Sequence, residues 1–269
     1  NWEISQKRPE DTKRADGPEF RLKPGGPPPA SLDELARMSL FPEDVVANAR
    51  ASKCEAIAYT YSEPIAWFEY TLDTAKLARA AGVRNILVTS GYIRPDPLRE
   101  LAQYIDAAHV DLKGFDEETY MRLNSGHLQP VLDAILTLKS AGVWVEIINL
   151  IVPTYTDNVA LIRQMCGWIA EKVGQDVPLH FSRFHPAHRL THLPPTPVET
   201  LLAAREQARA AGLRYVYIGN VRNVPDAGTT YCPNCRKPII LRDVFTVVEQ
   251  HLNDGKCEFC RTPIAGIWA

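Results

Sequence analysis

Four cysteines near the end of the chain occur in two Cys-x-x-Cys pairs. Cys232 and Cys235 form the first pair, 21 residues intervene, and Cys257 and Cys260 form the second. Four thiolates complete a tetrahedral shell suited to zinc or to a single iron. A closed shell has no open position, so zinc here would be structural, whereas a single iron could relay electrons. Two metal-free redox dithiols are disfavoured because neither pair opens a thioredoxin-like helix.

The two remaining cysteines stand alone in apolar surroundings. Cys54 precedes the run Ala56–Tyr59, and Cys166 falls within a helical pattern. Lone cysteines in such positions are usually small buried side chains, and we predict this for both.

Composition limits the classes of protein that the chain can belong to. The 269 residues are 45% hydrophobic and 23% charged, as in ordinary globular proteins, and they carry a net charge of −2. That charge gives no long-range attraction to nucleic acid or anionic lipid, so neither is expected as a partner. No apolar run approaches the roughly 20 residues that span a bilayer, and residues 1–10 lack the layout of a signal peptide. The sequence therefore predicts a cytoplasmic protein.

Short apolar runs alternate with amphipathic stretches through most of the chain, which predicts a parallel sheet with helices outside it. Three of the predicted helices end in an Ala-Gly pair, where glycine suits a left-handed C-cap. We predict an α/β fold, a partial parallel (β/α) barrel of about six βα units. The predicted strands are 56–59, 85–89, 108–113, 144–152, 177–184 and 214–218; the predicted helices are 65–81, 96–107, 128–140, 158–173 and 197–211.

Composition also suggests three parts. Residues 1–30 are rich in Pro, Gly, Lys and Arg and predict a loop or extended arm. Residues 31–228 contain the predicted barrel, preceded by a helix starting near Ser31 and a second running from Pro42 to about Ala51. Residues 229–269 form a small four-cysteine segment of the zinc-ribbon or rubredoxin-like kind.

Polar side chains follow the predicted strands, at the end where parallel barrels carry their active sites. Glu63 would place a carboxylate there that can bind an ammonium group. Asp111 and Lys113 share strand parity, so they can form an ion pair or hold opposite ends of a zwitterion. Asn149 and His185 occupy similar positions on later strands.

These motifs, taken in order, resemble the radical S-adenosylmethionine (SAM) superfamily. The similarity is to its pyruvate formate-lyase activating enzyme branch, and within that branch to the AmmeMemoRadiSam-system radical SAM enzymes. It extends over essentially the whole chain, including the cysteine tail. The motifs are Tyr61-Ser62-Glu63-Pro64, Thr89-Ser90-Gly91-Tyr92, Asp111-Leu112-Lys113, Leu150-Ile151-Val152-Pro153 and Phe184-His185-Pro186.

The resemblance implies roles for individual residues. Ser62 and Glu63 match a Gly-Gly-Glu-Pro-like motif that binds the amino group of SAM, and Asp111 and Lys113 match a strand near its ribose and carboxylate. His185 matches a residue near the adenine. Ser90 stands where the family often has Asn, and its side chain is shorter than that asparagine. Asn149 and Asn1 complete the expected cofactor-binding set.

The resemblance also implies a [4Fe-4S] cluster held by a Cys-x-x-x-Cys-x-x-Cys motif, which the sequence lacks. Residues 1–5, Asn-Trp-Glu-Ile-Ser, resemble those that follow that motif. We therefore expect the cluster ligands upstream of Asn1. The alternative is a cluster-free relative without radical chemistry.

The implied activity is that of a radical SAM oxidoreductase. Its partners would be SAM, an electron donor, and a substrate that is a protein or a small molecule. No catalytic residue is expected beyond those that position the cofactors. A second hypothesis is a binding module that acts through its four-cysteine ribbon, but the basic residues there are balanced in part by acidic ones, which disfavours nucleic acid. A hydrolase using Glu63 and His185 lacks a convincing nucleophile.

Overall fold

The computed structural model describes residues 40–243 and 246–268. The predicted arm at 1–30, the helix near Ser31 and the expected cofactor residue Asn1 all lie outside these ranges. The chain forms two compact units, with the boundary between Asn85 and Ile86. No helix within the described ranges combines the length and apolar character needed to cross a membrane.

Six strands form the main sheet, and their order in it follows the sequence. From β2 to β6 every neighbouring pair is parallel, which confirms the predicted α/β partial barrel. The predicted strand positions agree with the observed ones to within two residues. The strands are β1 Ala56–Tyr59, β2 Arg84–Thr89, β3 Ala107–Asp111, β4 Trp144–Ile151, β5 Leu179–Arg183 and β6 Val216–Gly219.

Helices separate these strands in the sequence. The α-helices are α1 Pro42–Ala51, α2 Phe68–Ala80, α3 Pro95–Ala102, α4 Glu117–Thr119, α5 Leu128–Ser140, α6 Val159–Trp168 and α7 Val198–Ala210. Short 3-10 helices span Pro64–Trp67 and His188–Leu190, and π-helical turns span Tyr120–Asn124 and Ile169–Val173. The helix predicted over 96–107 ends at Ala102, because β3 already begins at Ala107.

The predicted glycine caps are present. Gly82, Gly142 and Gly212 follow α2, α5 and α7 with φ values of +75°, +81° and +93°. The amide after each glycine donates back to the last turn of its helix, for example Val83 N to Ala78 O at 2.9 Å. This left-handed ending favours glycine and turns the chain into the next strand.

Burial alternates along β2 to β4, with every second side chain fully or almost fully buried. The buried set includes Leu87, Val110 and Ile147, each with no exposed surface. The intervening positions are half-buried and include polar residues. One face of this part of the sheet is therefore hydrophobic core, and the other has polar side chains.

The lone cysteines differ from each other. Cys166 is buried in α6, as predicted, and burial raises the pKa of its thiol to about 12. The prediction for Cys54 was wrong, because its side chain is exposed. Cys54 lies in the turn that ends α1, where its amide donates to Ala49 O at 2.9 Å, ahead of the apolar run of β1.

Residues after Thr229 form two small antiparallel sheets. The first contains β7 Thr230–Tyr231, β8 Pro238–Asp243 and β9 Thr246–Gln250; the second contains β10 Leu252–Asn253 and β11 Lys256–Cys257. Their small core combines Cys232, Ile239, Cys257 and Ile264 with Tyr215, which precedes β6. We call residues 229–268 the cysteine segment.

Candidate functional site

The motif after β1 starts a helical turn. Glu63 is the N-cap of the 3-10 helix Pro64–Trp67, and its Oε1 accepts a hydrogen bond of 3.3 Å from Ile65 N. Ser62 is exposed, Glu63 is half-buried, and both line a cavity of about 490 Å3. Trp67 and Phe41 also line it and are 67% and 52% exposed. The motif thus presents a carboxylate beside apolar surface.

Asp111 and Lys113 form an ion pair, one of the two arrangements expected from their parity. Lys113 Nζ lies 2.7 Å from Asp111 Oδ2, and the two side chains are 39% and 35% exposed, so both remain accessible to a ligand. Lys113 N donates to the Tyr120 hydroxyl at 3.0 Å. Burial raises the pKa of Tyr120 to about 12, so this hydroxyl stays protonated. The phenol therefore holds the backbone of Lys113 in place.

These residues line a cavity of about 270 Å3 together with Ser90 and Tyr92. The turn after β2 that carries Ser90 depends on Gly91, which has φ +70° and whose N donates to Thr89 Oγ1 at 3.0 Å. A Cβ at Gly91 would lie 3.0 Å from Val110 Cγ1. Both the φ angle and this close approach favour glycine. The structure thus brings together Ser90, Asp111 and Lys113, three of the residues predicted from sequence.

Asn149 lies on the face of the sheet opposite to Asp111. Because Asp111 pairs with Ile148 in the sheet, Asn149 shares the opposite face with Leu112. Its side chain is 2% exposed, and its Nδ2 donates to Leu112 O at 2.8 Å. The structure therefore does not bring Asn149 to Asp111 and Lys113. Its observed contact holds the end of β4 to the residue that follows β3.

His185 lies in the loop after β5 and is exposed. Its Nε2 is 3.2 Å from Asn220 O, and Asn220 Nδ2 donates to Arg183 O at 3.2 Å. Asn220 has a φ of +56° and follows β6. The loops after β5 and β6 are thus connected by two hydrogen bonds that position His185.

The polar face of the sheet contains a cluster that sequence reasoning missed. We call Glu146, His109, His180 and Tyr217 the sheet-face cluster. His180 Nε2 lies 2.8 Å from Glu146 Oε2, and the His180 ring stacks on Tyr217 with centroids 4.9 Å apart. The His109 and His180 ring centroids are 5.4 Å apart. A signal existed in the sequence, since His109 and Glu146 are each flanked by apolar residues within a strand, two and three positions before Asp111 and Asn149.

Burial and neighbouring charges determine the protonation states of Glu146 and His109 in the sheet-face cluster. Burial raises the pKa of Glu146, but the hydrogen bond and charge of His180 outweigh it, so the pKa is below its ordinary value and Glu146 is ionised. Burial and the neighbouring His180 lower the pKa of His109, which is therefore neutral. His109 Nε2 is buried and has no hydrogen-bond partner in the part of the chain that the structure describes. This nitrogen therefore remains able to form a hydrogen bond.

The four cysteines of the C-terminal pairs come together as predicted. All four Sγ atoms lie within 4.8 Å of one another, with Cys232 to Cys260 at 3.5 Å and Cys235 to Cys257 at 3.8 Å. Four sulfurs at the usual 2.3 Å from a tetrahedral metal are about 3.8 Å apart. The donor set therefore fits one zinc or iron ion.

Two turns of the same shape present these thiolates. Arg236 N donates to Cys232 O at 3.0 Å, and Arg261 N donates to Cys257 O at 2.8 Å. Arg236 and Arg261 both have left-handed φ values, +61° and +63°. Burial raises the pKa of Cys232 to about 12, whereas the hydroxyl and backbone of Thr262 lower the pKa of Cys260 to about 5.

Comparison with known proteins identifies the family. Residues 32–165 match the family described as the radical SAM superfamily. The chain is 40% identical over 230 residues to the uncharacterized protein MJ0808 of Methanocaldococcus jannaschii, covering 85% of this chain and 68% of that one. The pyruvate formate-lyase-activating enzyme of Clostridium pasteurianum is 26% identical over 113 residues, 42% of this chain and 47% of that enzyme.

A solved structure supports the fold. A domain of a pyruvate-formate lyase-activating enzyme from Bacteroides vulgatus ATCC 8482 superposes with a TM-score of 0.54 at 16% identity, covering 61% of this chain and 99% of that domain. The family match and the similarity to activating enzymes show an enzyme of the radical SAM type. The chain belongs to the radical SAM superfamily, as its motifs suggested, and it is related to the activating enzymes of that superfamily.

Proposed function

We propose that the protein binds a [4Fe-4S] cluster and SAM and abstracts a hydrogen atom from a protein or small-molecule substrate. The observation that carries this proposal is the accessible Asp111–Lys113 ion pair, which lines one cavity with Ser90 in a chain of this family. Two accessible, oppositely charged side chains can bind a ligand that offers a carboxylate group to Lys113 and hydroxyl donors to Asp111.

The cofactors would supply the chemistry. A bound, reduced cluster would supply one electron for cleavage of SAM to methionine, and SAM would supply the 5′-deoxyadenosyl group that takes a hydrogen atom from the substrate. An electron donor must therefore re-reduce the cluster.

The described residues hold and orient SAM in this proposal. Ser62 and Glu63 accept hydrogen bonds from its amino group, and charge-assisted bonds of this kind are the stronger ones. Asp111 accepts hydrogen bonds from the ribose hydroxyls, and Lys113 pairs with the carboxylate. Ser90 contacts the cofactor with a shorter side chain than the family's asparagine. His185 lies by the adenine. None of them transfers a proton.

The four cysteines are proposed to hold a single zinc or iron ion with a structural role. The support is the geometry of the sulfurs and the position of Cys232 and Cys257 within the small core of the cysteine segment. So small a core gains stability from metal ligation.

The proposal is tested by replacing Glu63 with Gln in the natural full-length protein, purified without oxygen. Gln keeps an oxygen that can accept from Ile65 N, so the 3-10 helix should be retained, but the charge is lost. We expect SAM binding to weaken by about tenfold or more. Calorimetric titration measures this, and chromatography of 5′-deoxyadenosine after chemical reduction measures turnover.

The matched control is Glu69→Gln, which neutralises an exposed carboxylate of α2. It should leave SAM affinity and 5′-deoxyadenosine yield unchanged. Wild-type protein that neither binds SAM nor forms 5′-deoxyadenosine would overturn the proposal and favour a cluster-free binding module. Equal affinities of Glu63→Gln and wild type would remove Glu63 from the SAM site.

A further inference from the structure

A cavity of about 520 Å3 lies where α7 and the start of β6 meet the cysteine segment, and four arginines line it. Arg205 and Arg209 come from α7, Arg214 precedes β6, and Arg236 belongs to the first cysteine turn. The net charge of the chain is −2, so this concentration of positive charge is a local feature. We call these four residues the arginine cluster.

Arg205 has hydrogen-bonding capacity that the described chain does not use. Its side chain is 12% exposed, and its buried Nε and Nη1 have no hydrogen-bond partner in the described residues. The carboxylate of Glu206 is 3.9 Å from Nε, too long for a hydrogen bond, and the same oxygen is 2.9 Å from Arg209 Nη1. Glu206 is thus already engaged by another arginine.

The other charges around the cavity do not cancel the excess. Arg214 is paired with Asp176 at 2.8 Å, and Asp226 lines the cavity with a hydrogen bond from Tyr231. Arg236 is exposed and forms no ion pair with the part of the chain that the structure describes. Four guanidinium groups therefore face one lining carboxylate and two flanking ones.

The pKa of Arg205 reflects the same excess of positive charge. Burial lowers the pKa of Arg205, the charge of Arg209 lowers it further, and Glu206, Asp226 and Tyr231 oppose the shift without reversing it. A buried guanidinium with unsatisfied donors is unfavourable unless an anion completes its hydrogen bonds. The anion that the described residues do not supply can come from a ligand.

We infer that the arginine cluster binds a small ligand carrying two or more anionic groups, phosphate or carboxylate. Guanidinium groups bind both kinds of group through paired N–H donors, and the cavity has the size of ordinary small-molecule sites, about 300–1,000 Å3. Because the lining joins α7 to the first cysteine turn, such a ligand would connect the barrel to the cysteine segment. This site is separate from the proposed SAM residues, so the inference does not depend on the proposed function.

Titration calorimetry on the natural, metal-loaded, full-length protein tests the inference with three probes: inorganic phosphate, fructose 1,6-bisphosphate and succinate. We expect the bisphosphate to bind at least tenfold more tightly than inorganic phosphate, because two anionic groups can contact separate arginines. Binding of succinate as well would show that carboxylates suffice; its failure would assign the site to phosphates.

Two variants localise the binding. Arg205→Met and Arg236→Met should each weaken bisphosphate binding by about tenfold or more. Arg50→Met, which removes an exposed arginine of α1, should leave it unchanged. Replacing Arg205, whose buried Nε and Nη1 have no hydrogen-bond partner in the described residues, by an apolar residue of similar length should not prevent folding. Should it do so, Arg236→Met, at an exposed position, still tests the site.

Two results would overturn the inference. One is the absence of binding by any probe in wild-type protein at up to about 10 mM. The other is wild-type affinity in the Arg205→Met/Arg236→Met double variant with circular dichroism and metal content unchanged.

Discussion

Asp111 and Lys113, at the end of β3, form a partly exposed ion pair. Their side chains are partly exposed, so the pair itself contributes little to folding stability, about 0–1 kcal/mol. The backbone of Lys113 is held by a buried side chain, because the Tyr120 hydroxyl accepts a hydrogen bond from Lys113 N. Placement of the backbone thus comes from burial, while the charges remain available for binding.

Asn149 tests whether a polar residue at a strand end serves the fold or the cofactor. Replacing it with Ala leaves Leu112 O without its donor and should lower the free energy of unfolding by about 1–3 kcal/mol. Asn149→Asp should lower it further, because a carboxylate would face a carbonyl oxygen. Urea denaturation measures both changes.

The exposed Asn48 of α1 provides the control, since Asn48→Ala should change the free energy of unfolding by no more than about 0.5 kcal/mol. SAM affinity, measured on the same variants, distinguishes a structural role of Asn149 from a role in cofactor binding. Weakened SAM binding at unchanged stability would restore Asn149 to the cofactor site and contradict the structural role.

At the scale of elements, the polar face of the sheet joins successive strands through the sheet-face cluster. His109 lies on β3, Glu146 on β4, His180 on β5 and Tyr217 on β6. Tyr217 extends the chain of contacts into the cysteine segment, where its hydroxyl lies 2.9 Å from Thr230 Oγ1. Titration of this cluster should therefore affect the stability of the sheet.

His109 should make the protein sensitive to mild acid. Its pKa in the folded state lies below that of an unfolded histidine, about 6.5, so the unfolded state takes up the proton first as the pH falls. Stability is therefore lost as the pH drops below about 6.5. His109→Gln should lose less stability than wild type between about pH 7.5 and pH 5.5, measured by urea denaturation.

Three other titratable groups influence the pKa of His109. His180 adds to the lowering of its pKa, and Glu146 and Asp111 oppose it. The pKa of Glu146 is itself depressed, so its contribution persists until the pH falls below about 4.3. The exposed His192 gives the control, because His192→Gln should keep the full wild-type loss. An equal loss in His109→Gln would contradict the prediction.

Prediction from sequence succeeded where local pattern decides the structure. Apolar runs and glycine caps located β1 to β6 within two residues, and parity predicted the Asp111–Lys113 pair. It failed for Cys54, because an apolar run begins two residues later and the turn itself is exposed. The sheet-face cluster was missed because its contacts join residues 34 or more positions apart, as for His180 and Glu146.

For the whole molecule, the cysteine segment should depend on its metal. Its core consists of a few apolar residues around Cys232 and Cys257. Cys232→Ala should release one metal ion per chain and expose residues after Tyr231 to limited proteolysis. Mass spectrometry of bound metals, compared with wild type, identifies the lost ion as zinc or iron even in the presence of an iron–sulfur cluster.

Cys54→Ala is the matched control, since it removes an exposed thiol outside the proposed metal site. It should retain the full metal content and protease resistance. Unchanged metal content in Cys232→Ala would contradict a four-cysteine metal site.

Each cysteine turn contributes one buried thiolate, Cys232 or Cys257, and one half-exposed thiolate, Cys235 or Cys260. The proposed metal site is therefore enclosed on one side and accessible to solvent on the other. Oxidants, chelators and competing thiophilic metals meet Cys235 and Cys260 first, whereas Cys232 and Cys257 stay enclosed in the small core. Damage or metal exchange should begin at the outer pair and leave the inner pair as the last attachment of the ion, so the order of alkylation among four chemically identical side chains is set by packing.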